Sequence, residues 1–224
     1  MNSVKKVLFV VTNCDKIDAN HPTGLWLEEF ALPYYESNQN GFEIVVASPL
    51  GGKIPIDPNS IPDGIPELWQ SALKALSNTV ILSTVNYQQF DALILPGGHG
   101  PMFDLAQDVI LAKILRYFAL ENKIIGAVCH GPAALVSATL LNGQSIVANR
   151  KVTGFTNEEE VMVKLDKLVP FLLEDKLKEL GANYVSSQAW SEHVIIDGNI
   201  ITGQNPQSSG KFAKAVADAL NNSR

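Results

Sequence analysis

The stretch IIGAVCHGPAAL, from Ile124 to Leu135, joins a short apolar run to a cysteine, a histidine and a helix-like segment. A run this short, without polar alternation, suits a strand covered on both faces. Ala127 and Gly131 lie two residues to either side of Cys129, and both are small. A sharp strand-to-helix turn needs small neighbours there, as in the G-x-S-x-G elbow of hydrolases. Such a turn presents the side chain at the sheet edge and often strains the backbone. A helix N-terminus after it would stabilise the thiolate. The expectation is therefore an acidic, exposed and well-aimed thiol at Cys129. The His130 N–H would face a developing oxyanion. The glycines of PGGHG, Pro96 to Gly100, can bring a second N–H close, with Gly98 the candidate. The competing reading is a cysteine that merely packs, since free cysteine is among the most buried residue types. Cys14 is read that way.

Similar apolar runs recur along the chain: KVLFVVT (Lys6 to Thr12), FEIVVASP (Phe42 to Pro49) and ALILPGG (Ala92 to Gly98). Between the first two, PTGLWLEEFALPYYESNQN reads as a helix, with Thr23 as its cap and Glu28 and Glu29 in its first turns. In DVILAKILRYFALEN, the residues Ile110, Leu111, Ile114, Leu115 and Phe118 share one helical face. VPFLLEDKLKELGANY reads as a further helix stopped at Gly181, and a last helix runs from about Ser209 to Leu220. HVIIDGNIITG is a hairpin turning at Asp197-Gly198. The order predicts an α/β fold: a doubly wound, mostly parallel sheet sandwiched by helices, of flavodoxin-like type. One domain is expected over residues 1–224, with a Pro- and Gly-rich loop insertion near 51–64.

Hydrophobic residues make up 46% of the 224 and charged residues 18%, which fits one globular domain. A net charge of -6 leaves no basic excess for nucleic acid. No stretch approaches the roughly 20 apolar residues of a membrane span, and Asp15 and Lys16 interrupt the N-terminal run. Two cysteines make no disulfide framework, so a cytoplasmic setting is expected. The four histidines are scattered, and no metal is expected. His21 and His193 read as surface residues, His99 as a turn residue, and Asn205-Pro206 as a turn that could border the site.

Taken together, AVCHGPAAL, LILPGGHGP, TGLWLEEFALPYY, VTGFTNEEE and ITGQNP resemble the DJ-1/PfpI superfamily, relatives of class I glutamine amidotransferases. The branch they are most similar to is the small heat-shock-chaperone-like one, which includes glutathione-independent glyoxalase III. The resemblance spans about Lys5 to Leu220. It implies that Cys129 is the nucleophile and His130 its triad neighbour. It also implies a helix carboxylate against the cysteine, four residues before a proline; Glu29 has that spacing to Pro33 and Glu28 does not. Held in that apolar helix, its pKa would be raised. A third triad member is implied within the FTNEEE segment; Glu160 is favoured, Glu159 is second, and Glu158 remains open. Gly98 and His130 would form the oxyanion hole, and Gly97, His99 and Trp190 the substrate pocket.

The activity implied is conversion of methylglyoxal or a similar 2-oxoaldehyde to a 2-hydroxy acid, with no cofactor, metal or glutathione. Deglycase and stress-chaperone activities accompany it in the family, and a homodimer is implied. Two other readings remain: a cysteine peptidase or amidase, and a non-enzymatic chaperone or redox sensor. Glutamine amidotransfer is disfavoured, because no H-x-E pair lies near the C-terminus.

Overall fold

The computed structural model describes residues 4–61 and 64–223; Pro62 and Asp63 of the expected loop insertion lie outside the described residues. In chain order the strands are β1 (Lys6–Val10), β2 (Lys16–Asp18), β3 (His21–Pro22), β4 (Glu43–Ser48), β5 (Val80–Ile81), β6 (Ala92–Leu95), β7 (Ile124–Val128), β8 (Lys151–Val152), β9 (Asn183–Tyr184), β10 (Val194–Asp197) and β11 (Ile200–Gly203). The helices are α1 (Leu27–Gln39), α2 (Gln70–Leu76), α3 (Val109–Leu120), α4 (Asn157–Met162), α5 (Leu173–Glu179) and α6 (Ser209–Asn222).

Seven strands form one sheet in the order β10-β11-β7-β6-β1-β4-β5. Every neighbouring pair is parallel except the β10–β11 hairpin. This is the mostly parallel, doubly wound sheet that the apolar runs predict. Every residue of β6 and β7 is buried, as strands with helices on both faces require. From β1 the chain crosses through α1 to β4 on one side. From β6 it crosses through α3 to β7 on the other. Right-handed crossovers travelling in opposite directions put α1 and α3 on opposite faces, and α6 packs beside α1. The winding reverses between β1 and β6, so the crevice of the fold opens at their carboxyl ends.

The helix ends follow local chemistry with two departures. Asp108 caps α3 by accepting the Leu111 N–H at 2.8 Å. Leu111, Ile114, Leu115 and Phe118 are buried as predicted, but Ile110 is 39% exposed, at the helix entrance. Thr23 does not cap α1. Its hydroxyl donates to Asp57 Oδ2 at 2.9 Å, and the helix starts at Leu27 behind Trp26. The segment before it is held extended: Leu25 N–H donates to Pro55 O, and Trp26 N–H donates to Gly97 O.

Gly131 shows how tightly the elbow is packed. A Cβ there would lie 2.0 Å from the Leu95 carbonyl oxygen of β6. Gly210, near the start of α6, faces open space. Gly131→Ala is expected to destabilise the protein by about 3 kcal/mol or more, the upper end for overpacking. Gly210→Ala is expected to be neutral or slightly stabilising. Denaturant unfolding of the two variants checks the contrast.

Candidate active site

Cys129 directly follows β7 in a left-handed backbone conformation, φ 60°. A non-glycine residue there stores strain of roughly 1–3 kcal/mol and persists only when its surroundings enforce it. Here both backbone groups are fixed: the Cys129 N–H donates to Gly203 O and the Phe155 N–H donates to Cys129 O, each at 2.9 Å. The expectation of an exposed, acidic thiol is corrected. The residue is 3% exposed. After His130 the chain forms only a five-residue 3-10 helix, Gly131–Leu135, too short for a strong dipole. Burial pushes the thiol pKa well up, and the neighbouring Glu29 carboxylate pushes it further.

Glu29 stands in the first turn of α1 and is fully buried. Its Oε2 accepts the Gly97 N–H at 2.9 Å. Its Oε1 has no regular hydrogen-bond partner, and the Cys129 thiol is the group beside the carboxyl. Burial raises the Glu29 pKa well above the carboxylate range, against the lowering effect of Cys129 and Gly97. The two groups therefore form a buried acid–thiol pair. The glycines of the β6 turn make room for it. A Cβ on Gly97 would sit 2.6 Å from Glu29 Oε2 and 2.7 Å from the His130 nitrogen. Gly98, φ 87°, passes so close to Gly24 and Trp26 that a Cβ would meet backbone at 2.3 Å and 2.6 Å. Its backbone acts on the Cys129 thiol, lowering the thiol pKa against the effect of burial. The His130 N–H has no backbone acceptor among the described residues.

His130 Nδ1 lies 3.4 Å from the Cys129 sulfur, and its Nε2 lies 2.7 Å from Glu160 Oε2. The other oxygen of Glu160 meets His99 Nε2, also at 2.7 Å. Burial alone would raise the Glu160 pKa. The charge and hydrogen bond of His130, then those of His99, overcome it and hold the carboxyl well below its usual range. An ionised carboxylate only accepts, so each imidazole carries its proton on Nε2. That leaves His130 Nδ1 as an acceptor facing the thiol. Burial, then the neighbouring His99, lowers the His130 pKa, so the ring is neutral near pH 7. Phe155 packs on it at a centroid distance of 4.4 Å.

Glu159, one residue earlier, is also fully buried but is aimed elsewhere. Its Oε2 accepts from the Thr156 N–H and hydroxyl in a capping box at the start of α4. Its Oε1 accepts from the Trp190 N–H, Gln204 Nε2 and Asn205 Nδ2. Trp190 is thereby held at φ 60°, its ring against Phe155. Glu158 makes neither set of contacts and is exposed.

These groups enclose a cavity of about 50 Å³ walled by Trp26, Gly98, His99, Phe155, Val163, Trp190 and Pro206, with Cys129 and His130 at its base. Trp26, Phe155 and Val163 carried no chemical signature in the sequence. His99 is not merely a turn residue. His193 departs from the surface reading, since its Nε2 is buried and unpartnered; His21 pairs with Asp18 at 2.7 Å. Contrary to the reading of scattered histidines, His99, His130 and Glu160 gather ligand-type atoms within 4.8 Å of one another. Those atoms are engaged with each other, so a metal ion would have to replace two short hydrogen bonds. Among the described residues, no helix is long and apolar enough to cross a membrane.

The chain is similar over most of its length to known proteins. A Xenopus laevis protein named glutamine amidotransferase-like class 1 domain-containing protein 1 is 34% identical, covering 76% of this chain and 74% of its own. A glutathione-independent glyoxalase of Schizosaccharomyces pombe is 30% identical, covering 87% and 86%. The crystal structure of glyoxalase III from Candida albicans superposes with a TM-score of 0.88 at 27% identity, covering 96% of this chain and 97% of that one. The DJ-1/PfpI family model matches residues 23–219, and the chain belongs to the DJ-1/PfpI family.

Proposed function

We propose that this chain is a glutathione-independent glyoxalase that converts methylglyoxal or a related 2-oxoaldehyde to the 2-hydroxy acid. The observation that carries the reading is the buried Glu29 carboxyl held against Cys129 by the Gly97 N–H. Isomerising a 2-oxoaldehyde needs a group that gives a proton, takes one from carbon and returns it. A carboxyl with a raised pKa in a dry site has that capacity. The similarity to two glyoxalases supports the same reading.

In this scheme His130 Nδ1 takes the thiol proton and the sulfur adds to the aldehyde carbon, C1. Glu29 protonates the aldehyde oxygen, giving the hemithioacetal, while the Gly98 and His130 N–H groups stabilise the developing oxyanion. Glu29, now ionised, removes the C1 hydrogen. The electron pair moves to the ketone oxygen on C2, which takes the proton from His130, and an enediol results. Glu29 then protonates C2, and the C1 hydroxyl returns its proton to Glu29. C1 has been oxidised to a thioester and C2 reduced to an alcohol within one molecule, so no external oxidant is needed. Water activated by His130 cleaves the thioester and restores the thiol. Glu160 keeps the required tautomer of His130 throughout. A buried carboxyl against the thiol has less use in acyl transfer, which ranks the peptidase reading below this one.

Lactate formation from methylglyoxal without glutathione tests the proposal. Cys129→Ala is expected to abolish it, and Glu29→Gln to lower kcat by about 10²–10⁴. An inactive wild type, or a Glu29→Gln enzyme with unchanged kcat, would sink it.

Stability should move the other way. The Glu29 pKa is higher folded than unfolded, so its contribution is fully present below the ordinary carboxylate range. It is lost as pH rises toward the folded value. Glu29→Gln escapes that loss. Its Tm minus that of the wild type is expected to grow from about pH 5 to about pH 8, as measured by thermal unfolding in matched buffers.

A further inference from the structure

The cavity over Cys129 adjoins a second, larger hollow of about 530 Å³, and the two share Trp26, His99 and Val163 as walls. The inner space of about 50 Å³ exceeds the roughly 10–15 Å³ that admits one water, enough for a dicarbonyl head. The outer one lies in the range of small-molecule sites, roughly 300–1,000 Å³. That is far more than the methyl group of methylglyoxal requires.

The lining of the outer hollow says what kind of tail it suits. No lysine or arginine is among its described lining residues to neutralise a phosphate or carboxylate. The one carboxylate among its described lining residues, Asp57, is already engaged by the Thr23 hydroxyl and the Asn59 N–H, each at 2.9 Å. Its outer histidine, His21, is paired with Asp18. Among the described residues, neither an anionic nor a cationic tail would find an unengaged partner. The exposed Asn20 and Asn59 offer side-chain amides, which both donate and accept. Trp26, Pro22 and Ile17 offer apolar surface between them. Amides together with apolar surface suit a chain of hydroxyl-bearing carbons.

Building on the glyoxalase reading, we propose that the outer hollow is a tail subsite. The preferred substrate is then a 2-oxoaldehyde with an uncharged, polyhydroxylated tail, of the kind formed when a sugar loses water, rather than methylglyoxal itself. The atoms balance as for methylglyoxal, because the tail takes no part in the chemistry.

Three substrates separate size from polarity: methylglyoxal, 2-oxohexanal and 3-deoxyglucosone, a six-carbon 2-oxoaldehyde with hydroxyls along its tail. kcat/KM for 3-deoxyglucosone is expected to exceed that of the other two by about tenfold, the worth of one or two hydrogen bonds. Asn59→Trp, which fills the hollow, should lower the 3-deoxyglucosone to methylglyoxal ratio by about the same factor. Equal or better turnover of methylglyoxal, or a ratio unmoved by Asn59→Trp, overturns the proposal. A binding measurement keeps it separate from the glyoxalase reading. Cys129→Ala protein should bind 3-deoxyglucosone in a calorimetric titration, and the added Asn59→Trp change should abolish that binding. If wild-type protein turns over none of the three, the glyoxalase reading falls. The titration then still decides the subsite: binding that Asn59→Trp removes upholds it, and no binding overturns it.

Discussion

A carboxyl group fully buried beside a thiol is a costly arrangement, and much of the molecule around the crevice is organised to hold it. Burial disfavours both charges: it pushes the Glu29 pKa well up against the lowering effect of Cys129 and Gly97, and the thiol, pushed up by burial and then by Glu29, resists ionisation as well. The Gly97 N–H fixes one carboxyl oxygen. Gly97 itself has no room for a side chain between Glu29 and His130, and Gly131 has none against Leu95. The left-handed turn at Cys129, pinned from β11 and from Phe155, brings sulfur, imidazole and carboxyl to one point. Local strain and the desolvation of ionisable groups are concentrated where the chemistry is proposed.

Two adjacent glutamates show how finely the fold divides labour. Glu160 faces two imidazoles and fixes their tautomers. Glu159, one position earlier, turns toward the backbone and ties α4, the Trp190 loop and the turn after β11 into one wall. Both are buried, but only Glu160 touches His130. Since successive positions in the first turn of a helix point about 100° apart, the capping box that orients Glu159 toward Thr156 also sets where Glu160 points.

The architecture was legible because it rests on short-range signals. Continuous apolar runs marked β1, β4, β6 and β7, the Asp-Gly pair marked the β10–β11 turn, and the small residues about Cys129 marked the elbow. The carboxylate beside the thiol, Glu29, came from the family resemblance, which implies a helix carboxylate four residues before a proline. What failed depended on contacts between distant segments. Thr23 looked like a cap, but Asp57, thirty-four residues away, takes its hydroxyl. Cys129 looked exposed because nothing local shows that Trp26, Phe155 and Trp190 close over it. No period or motif distinguishes Glu159 from Glu160, or joins His99 to a carboxylate sixty-one residues on.

The central claim is that Glu29 carries a proton at neutral pH while it lies against Cys129. Infrared spectroscopy of the protein at pH 7, with isotope exchange into D2O, tests it directly through the carbonyl stretch of a protonated carboxylic acid. The account predicts such a band in the wild type, shifted in D2O, retained in Cys129→Ala and absent in Glu29→Gln. A wild-type spectrum with no protonated carboxyl band at that pH, or a band that survives Glu29→Gln, would contradict it.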